Sequence, residues 1–115
     1  MTQNFYFTKK SRLRTKEDFS HIHQHAKKIH SYSFIGLFCP NSLGHNRLGF
    51  AVGKKMGNSP QRNRIKRIFR ESFRLQQHQF PQGYDVLLIP KQGQYFSIPE
   101  IKSQLLWLFR KIQHG

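Results

Sequence analysis

One run of nine residues, Arg62-Asn63-Arg64-Ile65-Lys66-Arg67-Ile68-Phe69-Arg70, restricts the fold more than any other stretch. Five of the nine are Lys or Arg, and none is acidic. A helix start signal precedes it: Ser59 can cap, with Pro60 at the first helical position, where its missing N–H costs nothing. At about 100° per residue the run sorts into stripes. Arg62, Asn63, Lys66, Arg67, Arg70 and Arg74 fall within about 140° on one side. Ile65, Ile68, Phe69, Ser72, Phe73 and Leu75 fill an adjoining arc, and Arg64 stands apart near 200°. One stripe is to be buried; the other presents cations outward.

Like charges at i, i+4 repel, so a solvated helix face normally mixes signs. Arg62, Lys66, Arg70 and Arg74 stand in that relation, and the nearest acid, Glu71, lies off the stripe. The pattern predicts a polyanion site. Guanidinium groups fork onto phosphate oxygens, and an Asn among them can hydrogen-bond sugar, phosphate or a base edge. The whole chain agrees: 20 Lys and Arg against 5 Asp and Glu give a formal charge of +15. Self-repulsion of that size calls for a partner that uses it, and nucleic acid is the first candidate. An anionic membrane fits less well, because there is no long apolar run. With no signal peptide or spanning segment in view, the expected compartment is the cytoplasm.

At 115 residues the chain is expected to be one domain, spanning 1–115. Residues 1–14 form a basic arm interleaved with Phe5, Tyr6 and Phe7. The arm is either flexible or laid over the domain by those rings. Arg12 and Arg14, flanking Leu13, add to the basic surface. Thr15-Lys16-Glu17-Asp18 resembles a capping box and starts a helix carrying Phe19, Ile22 and Ala26, with Lys27 and Lys28 at its end. Periodicity alone makes Phe19 a core residue. His21 and His25 are one turn apart and flank His23, but no nearby carboxylate or thiolate supplies a third ligand, so no metal site is expected. The lone Cys39 reads as a small buried hydrophobe.

Tyr32 to Cys39 predicts a strand, and Arg47 to Lys54 a second. In the second, Leu48, Phe50 and Val52 point one way, and Gly49, Ala51 and Gly53 the other. A face of small residues marks a close approach by a ligand or another backbone. It suggests a groove with Lys54 and Lys55 at its end. Gly49 to Lys55 is one residue short of a phosphate-binding P-loop and lacks its Ser or Thr, so that reading is rejected. The basic helix should run from Pro60 to Gln77. Tyr84 to Pro90, nearly all apolar, predicts a strand buried on both faces. Ser97-Ile98-Pro99-Glu100 then opens a helix with Ile101, Leu105, Leu108, Phe109 and Ile112 facing the core; Trp107 falls off that stripe. The order helix, strand, strand, helix, strand, helix places a crossover helix before the last strand. It predicts an α+β fold: a single-domain α/β sandwich on a mixed sheet of about four strands.

Lys54-Lys55-x-Gly57-Asn58, followed by Arg62-Asn63-Arg64-Ile65-Lys66-Arg67 and Arg70-Glu71, resembles the signature of the bacterial ribonuclease P protein subunit. Arg12-Leu13, Glu17-Asp18-Phe19, Arg47-Leu48-Gly49, Asp85-Val86 and the terminal helix also sit where that family places them. The resemblance implies a fold like the second domain of ribosomal protein S5, with a left-handed βαβ crossover around the basic helix. It also implies that the chain binds a catalytic RNA to form the holoenzyme that removes the 5′ leader from precursor tRNA. The RNA is then the catalyst, using Mg²⁺, and the protein is an accessory subunit without catalytic residues. By resemblance, Arg62, Asn63, Arg64, Lys66, Arg67 and Arg70 contact the catalytic RNA, with Arg74 on the surrounding basic surface. Phe19, Lys54 and Lys55 belong to a leader-binding cleft, so Phe19 becomes a stacking platform for an unpaired base. Three cleft positions depart from the family's pattern: His23 replaces a Phe, Leu37 a Tyr and Ala51 a small hydroxyl residue. Ser59-Pro60-Gln61 also replaces small apolar residues.

The residues themselves point the same way. Glu17, Asp18, Glu71, Asp85 and Glu100 are the only acids, and they form no evident pair for two-metal hydrolysis. Two other readings share the charge. A ribosomal or assembly protein would not need the aromatic groove. A DNA-binding protein would need more base-reading side chains than the single Asn of this helix.

Overall fold

The computed structural model describes residues 12–13 and 15–114. The expectations for Phe5, Tyr6, Phe7 and Arg14, and for most of the 1–14 arm, lie outside the described residues. Three helices pack on a four-stranded mixed sheet of strand order β1-β2-β4-β3. The elements in chain order are α1 (Lys16–His25), β1 (Lys27–His30), β2 (Phe34–Pro40), β3 (Arg47–Phe50), α2 (Ser59–Arg74), β4 (Tyr84–Pro90) and α3 (Ile98–His114). β1–β2 and β2–β4 pair antiparallel, whereas β3 and β4 are parallel and joined through α2. The α+β architecture expected from the element order is therefore present.

The sheet has two cores, one on each face. Phe34, Phe38, Leu48, Val86 and Leu88 point toward α2 and α3, meeting Ile65, Phe69, Phe73, Ile101, Leu105, Leu108 and Phe109. Leu37, Cys39 and Leu87 point the other way, against Leu13 and the α1 residue Ile22. β4 is buried on both faces, as its nearly continuous apolar run requires. Cys39 is buried and unpaired. The predicted stripe of α3 is in the core, and Trp107 is left exposed.

Several boundaries differ from expectation. Residues 27–30 form an edge strand rather than a helix end, because Ala26 turns extended (φ −77°, ψ 148°) and Lys27 pairs with Phe38. Only Ile29 of that strand is even partly buried, so no alternation marks it. β2 begins at Phe34 instead of Tyr32, which is exposed at the turn. β3 stops at Phe50, short of the expected Lys54, and Lys54–Met56 forms a short 3₁₀ turn on the way into α2.

Asn58, not Ser59, caps α2. Its side chain accepts from the Gln61 N–H (3.0 Å), and Gln61 Oε1 accepts from the Asn58 N–H (2.8 Å). This reciprocal box needs an amide or carboxylate three residues after the cap; Gln61 supplies it for Asn58, whereas Arg62 could not for Ser59. Gly57 enters the cap at φ 124°, and a Cβ there would strike the Gln61 amide. The helix ends at Arg74, short of Gln77. The buried Gln76 instead donates to the Lys102 carbonyl (2.8 Å). The Thr15–Asp18 box at α1 is present, with both bonds formed.

Asp85 ties the sheet to its surroundings. Its carboxylate accepts from Arg47 Nε (2.8 Å), Arg47 Nη2 (2.7 Å) and Asn41 Nδ2 (2.9 Å). Arg47 also reaches Asp18 of α1 at 3.3 Å. One guanidinium thus links β3, β4 and α1. Breaking a buried ion pair from one side leaves the partner charge uncompensated. Asp85→Ala should destabilise the fold by about 3 kcal/mol, the low end for buried pairs because Arg47 keeps Asp18 and some water. Urea unfolding measures this; a loss below about 1 kcal/mol would show that the fork is dispensable.

Candidate nucleic-acid interface

α2 presents its cations because its other side is committed. Ile65, Phe69, Ser72 and Phe73 are buried, which fixes the helix rotation and turns Asn63, Arg64 and Arg67 to solvent. Arg62, Lys66 and Arg70 are half-buried along the flank. Within the i, i+4 row, Arg74 is answered by a carboxylate: its Nε and Nη2 donate to Glu71 at 2.8 and 2.9 Å. That hydrogen bond, with the charges of Arg74 and Arg70, holds the Glu71 carboxyl below its ordinary range against the opposing effect of burial. Arg62 Nη2 donates to Ser59 Oγ (3.2 Å), while its Nε is buried without a hydrogen-bond partner. An orphaned donor of this kind costs about 1–3 kcal/mol until an acceptor arrives.

The residues expected to form one cleft are distributed over three hollows. Phe19 lines the first, between α1 and α2, with Arg12, Leu13, Gly49, Lys66 and Arg70. His23 and Leu37 line the second, with Ala26, Lys28, Ile35 and Ile89. Lys55 lines the third, beside Arg64, Ile68 and Tyr95. Lys54 is exposed in the 3₁₀ turn, and Ala51 is exposed just after β3, its N–H donating to the Leu88 carbonyl (3.0 Å).

The small-residue face of β3 is partly filled by the chain itself. A Cβ on Gly49 would come within 3.0 Å of Leu13 and 3.2 Å of the Phe19 ring. Leu13 is fixed there by its N–H, which donates to the Leu48 carbonyl (3.0 Å). The close approach that Gly49 signals is thus Leu13 and Phe19, while Gly53 faces open space. Phe19 is half-buried against the α1-side core and also borders Lys66 and Arg70, so its core and platform readings are compatible. The adjacency of a ring on α1 to two cations on α2 was not legible from spacing. Neither was Tyr95, an exposed ring in a Gly/Gln loop beside Arg64; an aromatic within so polar a segment is the signal it left.

His21 and His25 lie with ring centroids 4.6 Å apart on the exposed face of α1. Among the described residues no three His, Cys, Asp or Glu side chains gather to hold a metal. Burial, with the Asp85 charge adding, pushes the Cys39 thiol up, away from nucleophilic use. The interface offers cations, stacking rings and shallow hollows, which is the chemistry of single-stranded or irregular RNA.

Comparison with known proteins agrees with this chemistry. Residues 7–113 match the family model described as Ribonuclease P. The chain is 36% identical to the ribonuclease P protein component of Petrotoga mobilis, covering 93% of this chain and 95% of that one. It is 38% identical to that of Thermotoga maritima, covering 98% and 99%. The solved structure of the T. maritima RNase P protein superposes with a TM-score of 0.79 at 31% identity, covering 87% of this chain and 96% of that one. A Staphylococcus aureus RNase P protein gives 0.76 at 30% identity, covering 90% and 94%. Matched along nearly its whole length in both sequence and fold, the chain belongs to the bacterial ribonuclease P protein family.

Proposed function

We propose that the chain is the protein subunit of ribonuclease P, an accessory subunit in the cytoplasm that joins a catalytic RNA to remove the 5′ leader of precursor tRNA. One observation carries the reading beyond family membership. Among the described residues no carboxylate forms an ion pair with the cations of α2 from Arg62 to Arg70, while the opposite stripe is locked in the core. Arg62, Asn63, Arg64, Lys66, Arg67 and Arg70 bind the catalytic RNA through phosphates and sugars, with Arg74 held back by Glu71. The leader runs over the α1 side of the sheet. Phe19 stacks an unpaired base there, in the hollow that Lys66 and Arg70 border from the catalytic-RNA side. His23 and Leu37 border the continuation of that path, and Lys54 and Lys55 flank the entry to α2.

Three of the protein's five acids are committed to arginines. Asp18 and Asp85 are engaged by Arg47, and Glu71 by Arg74. In this reading the Mg²⁺ used in the reaction is held by the RNA. No helix among the described residues is long and apolar enough to cross a membrane.

The deciding experiment is cleavage of a leader-bearing precursor tRNA at low Mg²⁺ by protein alone, catalytic RNA alone, and both. Efficient cleavage at the mature 5′ end by the combination alone supports the reading; cleavage by the protein alone, or no benefit from adding it, contradicts it. Five cations on α2 predict a log–log salt slope of about −4 for binding the catalytic RNA. A slope near zero would remove the polyanion role. Arg64→Ala or Arg67→Ala should weaken assembly and reduce that slope by about 1 each. Phe19→Ala should weaken leader-bearing precursor by about 1–3 kcal/mol relative to mature tRNA. Equal losses on the two RNAs would sink the platform assignment.

A further inference from the structure

Trp107 and Tyr32 have no part in the interface described above, yet both are exposed aromatics, at 45% and 78%. They line one hollow of about 340 Å³ between α3 and the turn joining β1 to β2, with His30, Ser31, Ser103 and Gln104. The strand order β1-β2-β4-β3 sets this corner at the β1 edge, across the sheet from β3 and the Phe19 hollow.

The hollow is built rather than incidental. Gln104 Oε1 accepts from the Ser31 hydroxyl (2.6 Å) and the Ser33 N–H (2.9 Å), and Gln104 Nε2 donates to Ser33 Oγ (3.0 Å). Lys91 Nζ donates to the Ser31 carbonyl (2.6 Å). These bonds pin the turn that carries Tyr32 to the helix that carries Trp107. The charge around it has one sign. Lys111 Nζ lies over one face of the indole, 5.3 Å from its centroid, Lys91 Nζ is bonded to the turn, and among the described residues no acidic side chain lines the hollow. Stacking rings beside ammonium groups match a nucleobase and its phosphate. A second copy of this chain fits poorly, because each copy brings a charge of +15.

We propose that the Trp107–Tyr32 hollow is a second RNA contact, taking an unpaired nucleotide whose base stacks on the indole and whose phosphate meets Lys111. This goes beyond the α2 reading and does not depend on it.

Trp107 is the only tryptophan in the chain, so its fluorescence reports this corner alone. A short oligoadenylate is titrated into the full chain at moderate salt, following indole emission together with the anisotropy of labelled oligonucleotide. The expected result is saturable quenching that persists in the Arg64→Ala/Arg67→Ala protein. Tyr32→Ala, at an exposed position, should shift the quenching midpoint about 5- to 150-fold, and Trp107→Ala should weaken the matching component of anisotropy. Binding by anisotropy with unchanged indole emission overturns the proposal and leaves the α2 reading intact. Quenching abolished by the α2 substitutions, or no binding by either signal, overturns it as well. Emission that shifts with protein concentration in the absence of RNA would assign the hollow to self-association instead.

Discussion

The packing of Phe69 sets the orientation on which the rest of the molecule depends. Its fully buried ring meets Phe34 of β2 at 5.2 Å, Phe96 before α3 at 5.5 Å and Phe50 of β3 at 6.5 Å, all edge-to-face. A ring so enclosed gains burial and directional contact at once. It fixes the rotation of α2 about its own axis. Once that rotation is fixed, the residues between Arg62 and Arg70 have no choice of face. The core and the cationic surface are therefore two consequences of one helical period, and a change in either disturbs the other.

The acids are placed to complement that arrangement. Of the five acids, Asp18 and Asp85 are drawn inward by Arg47, and Glu71 is paired with Arg74. Arg47 is in turn held protonated above its ordinary range, first by its hydrogen bond to Asp85. The Arg47 ion pairs thus hold β3, β4 and α1 together and turn Asp18 and Asp85 away from the surface, while Glu17 and Glu100 stay exposed. The surplus cations carry the cost of self-repulsion in the free protein. Neutralisation by an RNA backbone would relieve it, which couples binding to stability by mass action.

Much of this was legible in the sequence because periodicity reports burial. The α2 stripe, the α3 stripe and the doubly buried β4 follow directly from their apolar spacing. What was not legible depended on contacts far apart in sequence or on local chemistry one residue away. β1 carries a single partly buried residue, Ile29, so its identity as a strand comes from its partner β2. The cap at Asn58 was hidden by the adjacent Ser59 and Pro60 and is decided by Gln61. Gly49 announced a close approach but not that Leu13 and Phe19 make it. The family resemblance gathered Phe19, His23 and Lys55 into one cleft; the fold sets Phe19 and Leu37 on the same α1-side face of the sheet, and Lys55 in the turn before α2.

If the outward face of α2 lies against RNA in the holoenzyme, its lysine must be shielded there. Lysine acetylation read by mass spectrometry, with and without saturating catalytic RNA, tests this most directly. Lys66 sits in the middle of the row, between Arg62 and Arg70. Strong protection of Lys66 in the complex is the predicted result. Unchanged reactivity there, in a complex shown to be fully formed, would contradict the assignment of α2 to the RNA.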